Sequence, residues 1–484
     1  MFYCREEELR RMNSRYQKGR FECIVIYGRR RVGKTALINE FCKGKPVVYF
    51  SALNASSQEN LEALSKAIYT CQNPDSVNAP TYQNYADALD AVTAMAAGDR
   101  LVFVIDEYPY LAKAEKSISS RLQHIIDHQW QDSRLYLILC GSSMSFMEYQ
   151  VRGYESPLYG RRTAQFKIQA LTYREITVFH PELETADQAL LYGVTGGIPH
   201  YINKLDVEKN LDEALLENLF NTSGYLFEEP ENLLKQELRE PAIYNSVISA
   251  IADGASRSNE ISTKVGLESG VCVKYLKVLL ELGILKKETP IAEKTGRKTV
   301  YVIDDTFFRF WYRFVPRNMS AISAGRMRLV YEQAVKRFYP DYMGLVFEKM
   351  CREYLLRYAE KLPILLSGVG QWWGTDPKTR KEVQIDIVGT PVEGNEYLIG
   401  SCKYRNEKIG TEELELLRRY AAVFRGDAGF HYYIFSKSGF TSALTEAEKR
   451  GEVTLLTLED LYKSNTPLQA TGYQSGNAAE QRGI

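Results

Sequence analysis

Several absences narrow this chain before anything present does. It has eight cysteines, at 4, 23, 42, 71, 140, 272, 351 and 402, yet no C-x-x-C pair. Several of them lie in apolar runs, so buried free thiols in a reducing cytoplasm are expected in place of a zinc site or a disulfide framework. An excess of charge is missing too: 61 basic and 61 acidic residues cancel, and any surface for nucleic acid or lipid must be local. No run approaches about 18 uninterrupted apolar residues. The start, M-F-Y-C-R-E-E-E, lacks a basic region followed by an apolar one. Neither a membrane span nor a signal peptide is expected, and the cytoplasm is the predicted location. What is present, 484 residues with 45% hydrophobic and 25% charged, suits a globular chain of about two to four domains.

The most informative stretch is C-I-V-I-Y-G-R-R-R-V-G-K-T, from Cys23 to Thr35. Cys23 to Tyr27 reads as a buried strand of a parallel sheet. Gly28, Gly33, Lys34 and Thr35 fill the defined positions of G-x-x-x-x-G-K-[ST], and Ala36 to Phe41 continues at helical spacing. Strand, phosphate loop and helix follow one another. The segment Gly28, Arg29, Arg30, Arg31, Val32, Gly33, Lys34, Thr35 and Ala36 is expected to curl its backbone N–H groups around a polyphosphate at the positive end of the helix. Lys34 is expected to reach the β and γ phosphates and Thr35 to ligate Mg²⁺. The spacing itself leaves ATP and GTP open.

Leu101 to Tyr108, L-V-F-V-I-D-E-Y, is a second buried run, ending in adjacent carboxylates. Asp106 suits the Mg²⁺ shell, and Glu107, one residue on, suits a general base for the attacking water. The pair together favours hydrolysis over binding alone. Arg134 to Ser143 is another strand, after which Ser142 or Ser143 could sense the γ-phosphate. Arg161, in Y-G-R-R at Tyr159 to Arg162, is the candidate arginine finger. It could act in cis, or in trans within a homo-oligomer. Ahead of these, the charged helix Arg5 to Gly19 has two readings, a cover for the nucleotide base or for the sheet edge. Strands at Pro46 to Ser51 and helices at Gln58 to Cys71 and Tyr82 to Ala97 complete an alternating α/β pattern, which implies a parallel sheet with helices on both faces.

R-E-E-E-L, I-Y-G-R-R-R-V-G-K-T, V-I-D-E-Y-P-Y-L, L-C-G-S-S, S-P-L-Y-G-R-R and G-G-I-P-H-Y together resemble the archaeal-type AAA+ ATPases. The resemblance implies ATP as the nucleotide, and a helical lid over Leu171 to Leu219 that contains Gly196 to Pro199. The expected organisation is an ATPase domain at 1–170, lid and connector at 171–240, a winged helix at 241–305, a nuclease-like domain at 306–465 and a disordered tail at 466–484.

In the middle, helices at Tyr244 to Ala252, Asn259 to Val265 and Ser269 to Leu282 precede strands at Ile284 to Lys287 and Lys298 to Ile303, around a turn at Thr295 to Arg297. Three helices and a hairpin are the winged-helix arrangement, which also resembles the corresponding segment of the same ATPases. From Val271 to Val300, Lys274, Lys277, Lys286, Lys287, Lys294, Arg297 and Lys298 face only Glu281, Glu288 and Glu293. DNA is the expected partner, with protein docking as the alternative. The aromatic run Asp305 to Val315 reads as a buried packing helix, with a base-stacking platform as the alternative.

Towards the end, a helix at Leu345 to Leu356, strands at Val383 to Val388 and Tyr397 to Tyr404, a helix at Glu413 to Val423 and a strand at His431 to Phe435 resemble the PD-(D/E)XK nuclease fold. Asp386 is expected on a metal, Ser401 and Lys403 share a face, and Glu348 adds a carboxylate. A nuclease of this kind has Glu or Asp where Ser401 stands, and a hydroxyl is a poor substitute beside Mg²⁺. A domain that grips nucleic acid or a partner is therefore expected over active cleavage. The functions in view are an ATPase coupled to DNA contact, a nucleotide-controlled protein switch and an ATP-gated nuclease.

Overall fold

The computed structural model describes residues 2–75, 78–148, 156–207, 210–291, 296 and 298–463. Among these residues the chain divides into two compact units. The first takes in Met1–Ile176, Leu190–Glu288 and Thr295–Phe338, and the second Thr177–Ala189, Thr289–Lys294 and the chain from Tyr339 on. The expected disordered tail at 466–484 and the turn at Thr295 to Arg297, apart from Gly296, lie outside the described residues, as do Glu293 and Lys294. No helix among the described residues is long and apolar enough to cross a membrane.

The first unit is built on five parallel strands: β1 (Glu22–Tyr27), β2 (Val47–Ser51), β3 (Val102–Asp106), β4 (Tyr136–Gly141) and β5 (Ala164–Lys167). Their order across the sheet is β2-β3-β4-β1-β5. Every residue of β1, β3 and β4 is buried, which explains their continuous apolar character: a parallel strand with helices on both faces has no solvent side to mark with polar residues. On one face Val25, Phe103, Ile105 and Leu137 join a core with Leu64, Leu89, Leu111 and Leu122 from the helices Ser57–Gln72, Tyr85–Gly98, Tyr108–Ala114 and Ile118–Ile125. On the other face Tyr136 lies 5.1 Å from the Phe41 ring of the helix Lys34–Cys42 and donates to the Met12 carbonyl of the helix Glu6–Tyr16.

Later in the same unit come three helices, Pro241–Ala252, Ser258–Val265 and Ser269–Glu281. They are followed by an antiparallel hairpin of β6 (Leu285–Glu288) and β7 (Val300–Ile303). Val247, Ile251, Ile261, Cys272, Leu276 and Leu279 form the buried faces of the three helices. The aromatic helix Thr306–Phe314 buries Phe307, Phe308, Phe310, Trp311, Tyr312 and Phe314, and Trp311 Nε1 donates to the Phe227 carbonyl. With those rings inside the fold, this helix offers no base-stacking platform.

The second unit carries a mixed sheet in the order β12-β11-β10-β9-β8. Its strands are β8 (Leu366–Thr375), β9 (Glu382–Pro391), β10 (Glu396–Lys403), β11 (Gly429–Ser436) and β12 (Thr454–Thr457). β8, β9 and β10 run antiparallel, while β10, β11 and β12 run parallel. The crossover between β10 and β11 is the helix Thr411–Phe424, which buries Leu414, Leu417 and Ala421 on the sheet.

Candidate functional site

The phosphate loop is built by close approach of backbone. Gly28 lies so near the chain after β5 that a Cβ would collide with the Ile168 carbonyl oxygen. Gly33, at φ +94°, turns the chain into the helix Lys34–Cys42, a conformation an L side chain resists. Lys34 is buried, and its Nζ donates to the carbonyls of Gly28 (2.9 Å) and Arg29 (2.8 Å). Burial pulls the pKa of this ammonium below its ordinary value, against the opposing pull of nearby groups including Glu107, Asp106 and Glu237. Sequence reasoning missed Arg5. Its buried guanidinium donates to the Val32 carbonyl at 3.3 Å and to the Gln169 carbonyl, tying the start of the chain to the loop.

Five side chains, Thr35, Tyr49, Asp106, Glu107 and Ser142, gather along one end of the sheet. Thr35 Oγ1 donates to Asp106 Oδ2 at 3.2 Å, and the Tyr49 hydroxyl donates to the same oxygen at 2.8 Å. The other oxygen, Oδ1, accepts from the backbone N–H of Glu107. Glu107 itself sits at φ +49° and ψ +43°, a strained setting for a non-glycine residue, and opens the helix Tyr108–Ala114. Its carboxylate accepts from Ser142 Oγ at 2.9 and 3.1 Å. Of the two serines proposed as sensors, Ser142 is the one in contact with Glu107. Thr35 and Asp106 together offer two hard oxygen donors, which suit Mg²⁺.

Each arginine of the loop has a distant acidic partner. Arg29 pairs with Asp305, Arg30 with Glu237 and Arg31 with Glu229. Arg30 also donates to the Tyr110 hydroxyl at 2.7 Å. Arg31 lies over the rings of Tyr201 (5.8 Å) and Tyr225 (5.5 Å), and the Tyr201 hydroxyl donates to Glu229 at 3.0 Å. Arg161 is not brought to the loop by any of its contacts among the described residues. Its guanidinium makes a two-point pair with Asp127 at 2.7 and 2.6 Å and donates to the Pro157 and Tyr159 carbonyls.

Residues 2–205 match the model of an ATPase domain predominantly from Archaea, and residues 311–414 match a model of archaeal and bacterial proteins of unknown function. An uncharacterised protein of Methanocaldococcus jannaschii is 30% identical over 466 residues, 95% of this chain and 100% of that one. The chain belongs to the archaeal-type AAA+ ATPase family. An uncharacterised ATP-binding protein of the same organism is 43% identical over 47 residues, 10% of this ATPase and 80% of that protein. The Walker-type ATPase of Pyrococcus abyssi shares the fold, with 18% identity, a TM-score of 0.50, and coverage of 64% of this chain and 96% of that one.

The second unit of the ATPase brings together Asp386, Ser401 and Lys403, and adds Glu413 from the first turn of the helix Thr411–Phe424, which no spacing in the sequence links to them. Ser401 Oγ donates to Glu413 Oε1 at 2.7 Å and to Asp386 Oδ2 at 3.4 Å. Lys403 Nζ is 3.2 Å from Glu413 Oε1 and 3.9 Å from Asp386 Oδ2. Burial pushes the Asp386 carboxyl above the usual carboxylate range, while Lys403 pulls it back. Glu348 accepts a hydrogen bond from the Gln371 amide on β8. Among the described residues no three His, Cys, Asp or Glu side chains are grouped to hold a metal.

Proposed function

We propose that this ATPase hydrolyses ATP with Mg²⁺ and couples its nucleotide state to DNA contact. The three-helix-and-hairpin segment would act as a winged helix, and the nuclease-like second unit would grip nucleic acid. The observation that carries the hydrolytic part is the hydrogen-bonded run Thr35, Asp106, Glu107 and Ser142. Mg²⁺ would supply positive charge against the phosphates. Thr35 and Asp106 would hold it. Lys34, now on two loop carbonyls, reaches the β and γ phosphates; Glu107 orients and deprotonates the attacking water; Ser142 holds the Glu107 carboxylate in place. Arg161 would leave Asp127 to supply charge to a γ-phosphate, in cis or on a neighbouring subunit.

DNA contact is supported by the exposed face of the helix Ser269–Glu281, which carries Lys274, Val273 and Lys277, the last 3.9 Å from Glu281, and by exposed Lys287 on β6. The charge there is modest, because Lys286 pairs with Glu288 and Asp304. ATP turnover measured with and without duplex DNA tests the coupling. Turnover should rise with DNA, and Lys274→Glu with Lys277→Glu should abolish the rise without changing the DNA-free rate. A DNA-independent rate would favour the protein-binding switch. A second reading, the ATP-gated nuclease, is favoured by one contact: Glu413 reaches Ser401 and Lys403 from the next helix, putting a carboxylate where the strand itself carries a hydroxyl.

A further inference from the structure

The arginine pairs of the loop are not equivalent. Arg29 lies 5.9 Å from the Phe308 ring, and its partner Asp305 also caps the aromatic helix by accepting from the Phe308 N–H at 3.0 Å. Arg31 and Glu229 are enclosed by Tyr201 and Tyr225. These two pairs are anchors, built into packed rings. The Arg30–Glu237 pair is the most exposed of the three, with side chains 25% and 11% accessible, and it stands at the cleft beside Ser142. Glu237, Arg29, Arg30 and Ser142 line one cleft with Leu233 and Leu282. Arg30 also reaches Tyr110, on the helix that Glu107 opens.

Glu237 is the last residue of the helix Glu229–Glu237. A carboxylate at a helix C-terminus faces the negative end of the helix dipole and is unfavourable there unless a cation compensates it. Arg30 is that cation. A polyphosphate held by the loop brings several further negative charges to the same cleft, where they repel Glu237 and attract Arg30. The field of Glu237 is already felt at Lys34.

We propose that Glu237 is a positioning residue of the ATPase that acts through Arg30: it holds the guanidinium away from the nucleotide, and ATP displaces it, freeing the C-terminal end of the helix Glu229–Glu237 from the loop. The helix leads directly into the three-helix segment at Pro241, so exchange of Arg30 between Glu237 and phosphate gives that segment a nucleotide-dependent attachment. The inference rests on the loop holding ATP and is independent of what the three-helix segment contacts.

Two measurements on the full chain test it. Binding of a fluorescent ATP analogue to Glu237→Gln should be tighter by about fivefold, with KM for ATP lowered and kcat unchanged, while Glu237→Asp should stay within about twofold of wild type. In the unaltered protein, hydrogen exchange of the backbone amides of 229–237 should quicken when ATP is added. In Glu237→Gln it should be fast from the outset. Equal or weaker nucleotide binding by Glu237→Gln would overturn the proposal, as would exchange in 229–237 that ignores ATP in the wild type. Lys34→Ala separates the two levels: if it binds ATP normally, the phosphate-site assignment itself fails, whereas a null result confined to Glu237→Gln refutes only the role of Glu237.

Discussion

Ser142 Oγ lies 2.9 Å from Glu107 Oε2 and 3.1 Å from Oε1, so one hydroxyl at the end of β4 contacts both oxygens of the carboxylate that follows β3. The contact restrains a side chain whose own backbone is in the left-handed region, and in the proposed mechanism Ser142 acts by positioning Glu107. Ser142→Ala should lower kcat about tenfold while leaving KM for ATP unchanged. A steady-state assay that shows KM rising instead would move Ser142 to substrate binding.

Glu107→Gln keeps the shape of the residue and removes its basicity. It should bind ATP as the wild type does and lose turnover by about a hundredfold or more, leaving ATP trapped on the protein. A filter-binding assay with labelled ATP, run beside a phosphate-release assay, reads both properties. Retained hydrolysis would place the base elsewhere.

Lys34 already spends its ammonium on two carbonyls inside the loop. Lys34→Ala should therefore disturb the loop itself as well as the phosphate contact, and nucleotide affinity should fall below detection in calorimetry. Unchanged affinity would remove the loop from the site.

The two-point pair between Arg161 and Asp127 holds the guanidinium with both carboxylate oxygens. If Arg161 serves a neighbouring subunit, Arg161→Ala should cut turnover by about a thousandfold with ATP binding intact, and mixing it with Lys34→Ala subunits should restore part of the activity. Asp127→Ala, which releases the guanidinium, should retain turnover. Equal losses in Arg161→Ala and Asp127→Ala, without rescue on mixing, would make the pair a structural brace.

Asp386 gives a pH signature. Burial raises its carboxyl pKa, and an acid whose folded pKa is raised binds its proton more tightly in the native state than in the unfolded one. Stability is then lost as pH rises from the unfolded value through the folded one. Asp386→Asn should melt higher than wild type at pH 7, and the difference should vanish in acid, below the unfolded carboxylate pKa. In the same site Ser401→Glu would set a third carboxylate beside Asp386 and Glu413, and titration with Mn²⁺ should show tighter binding that Asp386→Ala removes.

Much of the site is legible in the chain because it is local. Gly28, Gly33, Lys34 and Thr35 are bound to one another by spacing, and Asp106 and Glu107 by adjacency at the end of an apolar run; backbone geometry then leaves them few arrangements. β1, β3 and β4 are equally plain, since burial on both faces demands continuous apolar residues, whereas the edge strand β5, A-Q-F-K, has one buried residue and leaves no such run. β8 is not: its L-S-G-V-G-Q-W-W-G-T is half-buried along most of its length, with three glycines and no clean alternation, so period-two reasoning has nothing to find. Other relationships depend on chain crossings that no spacing encodes. Ser142 meets Glu107 because β4 is inserted between β1 and β3. Glu413 reaches Ser401 because the crossover helix packs back over the sheet. Arg29 finds Asp305 across 276 residues of sequence. A motif is set by neighbours along the backbone, whereas the partner of a charge is whichever opposite charge the packed core leaves within reach, and that was decided only when the whole chain folded.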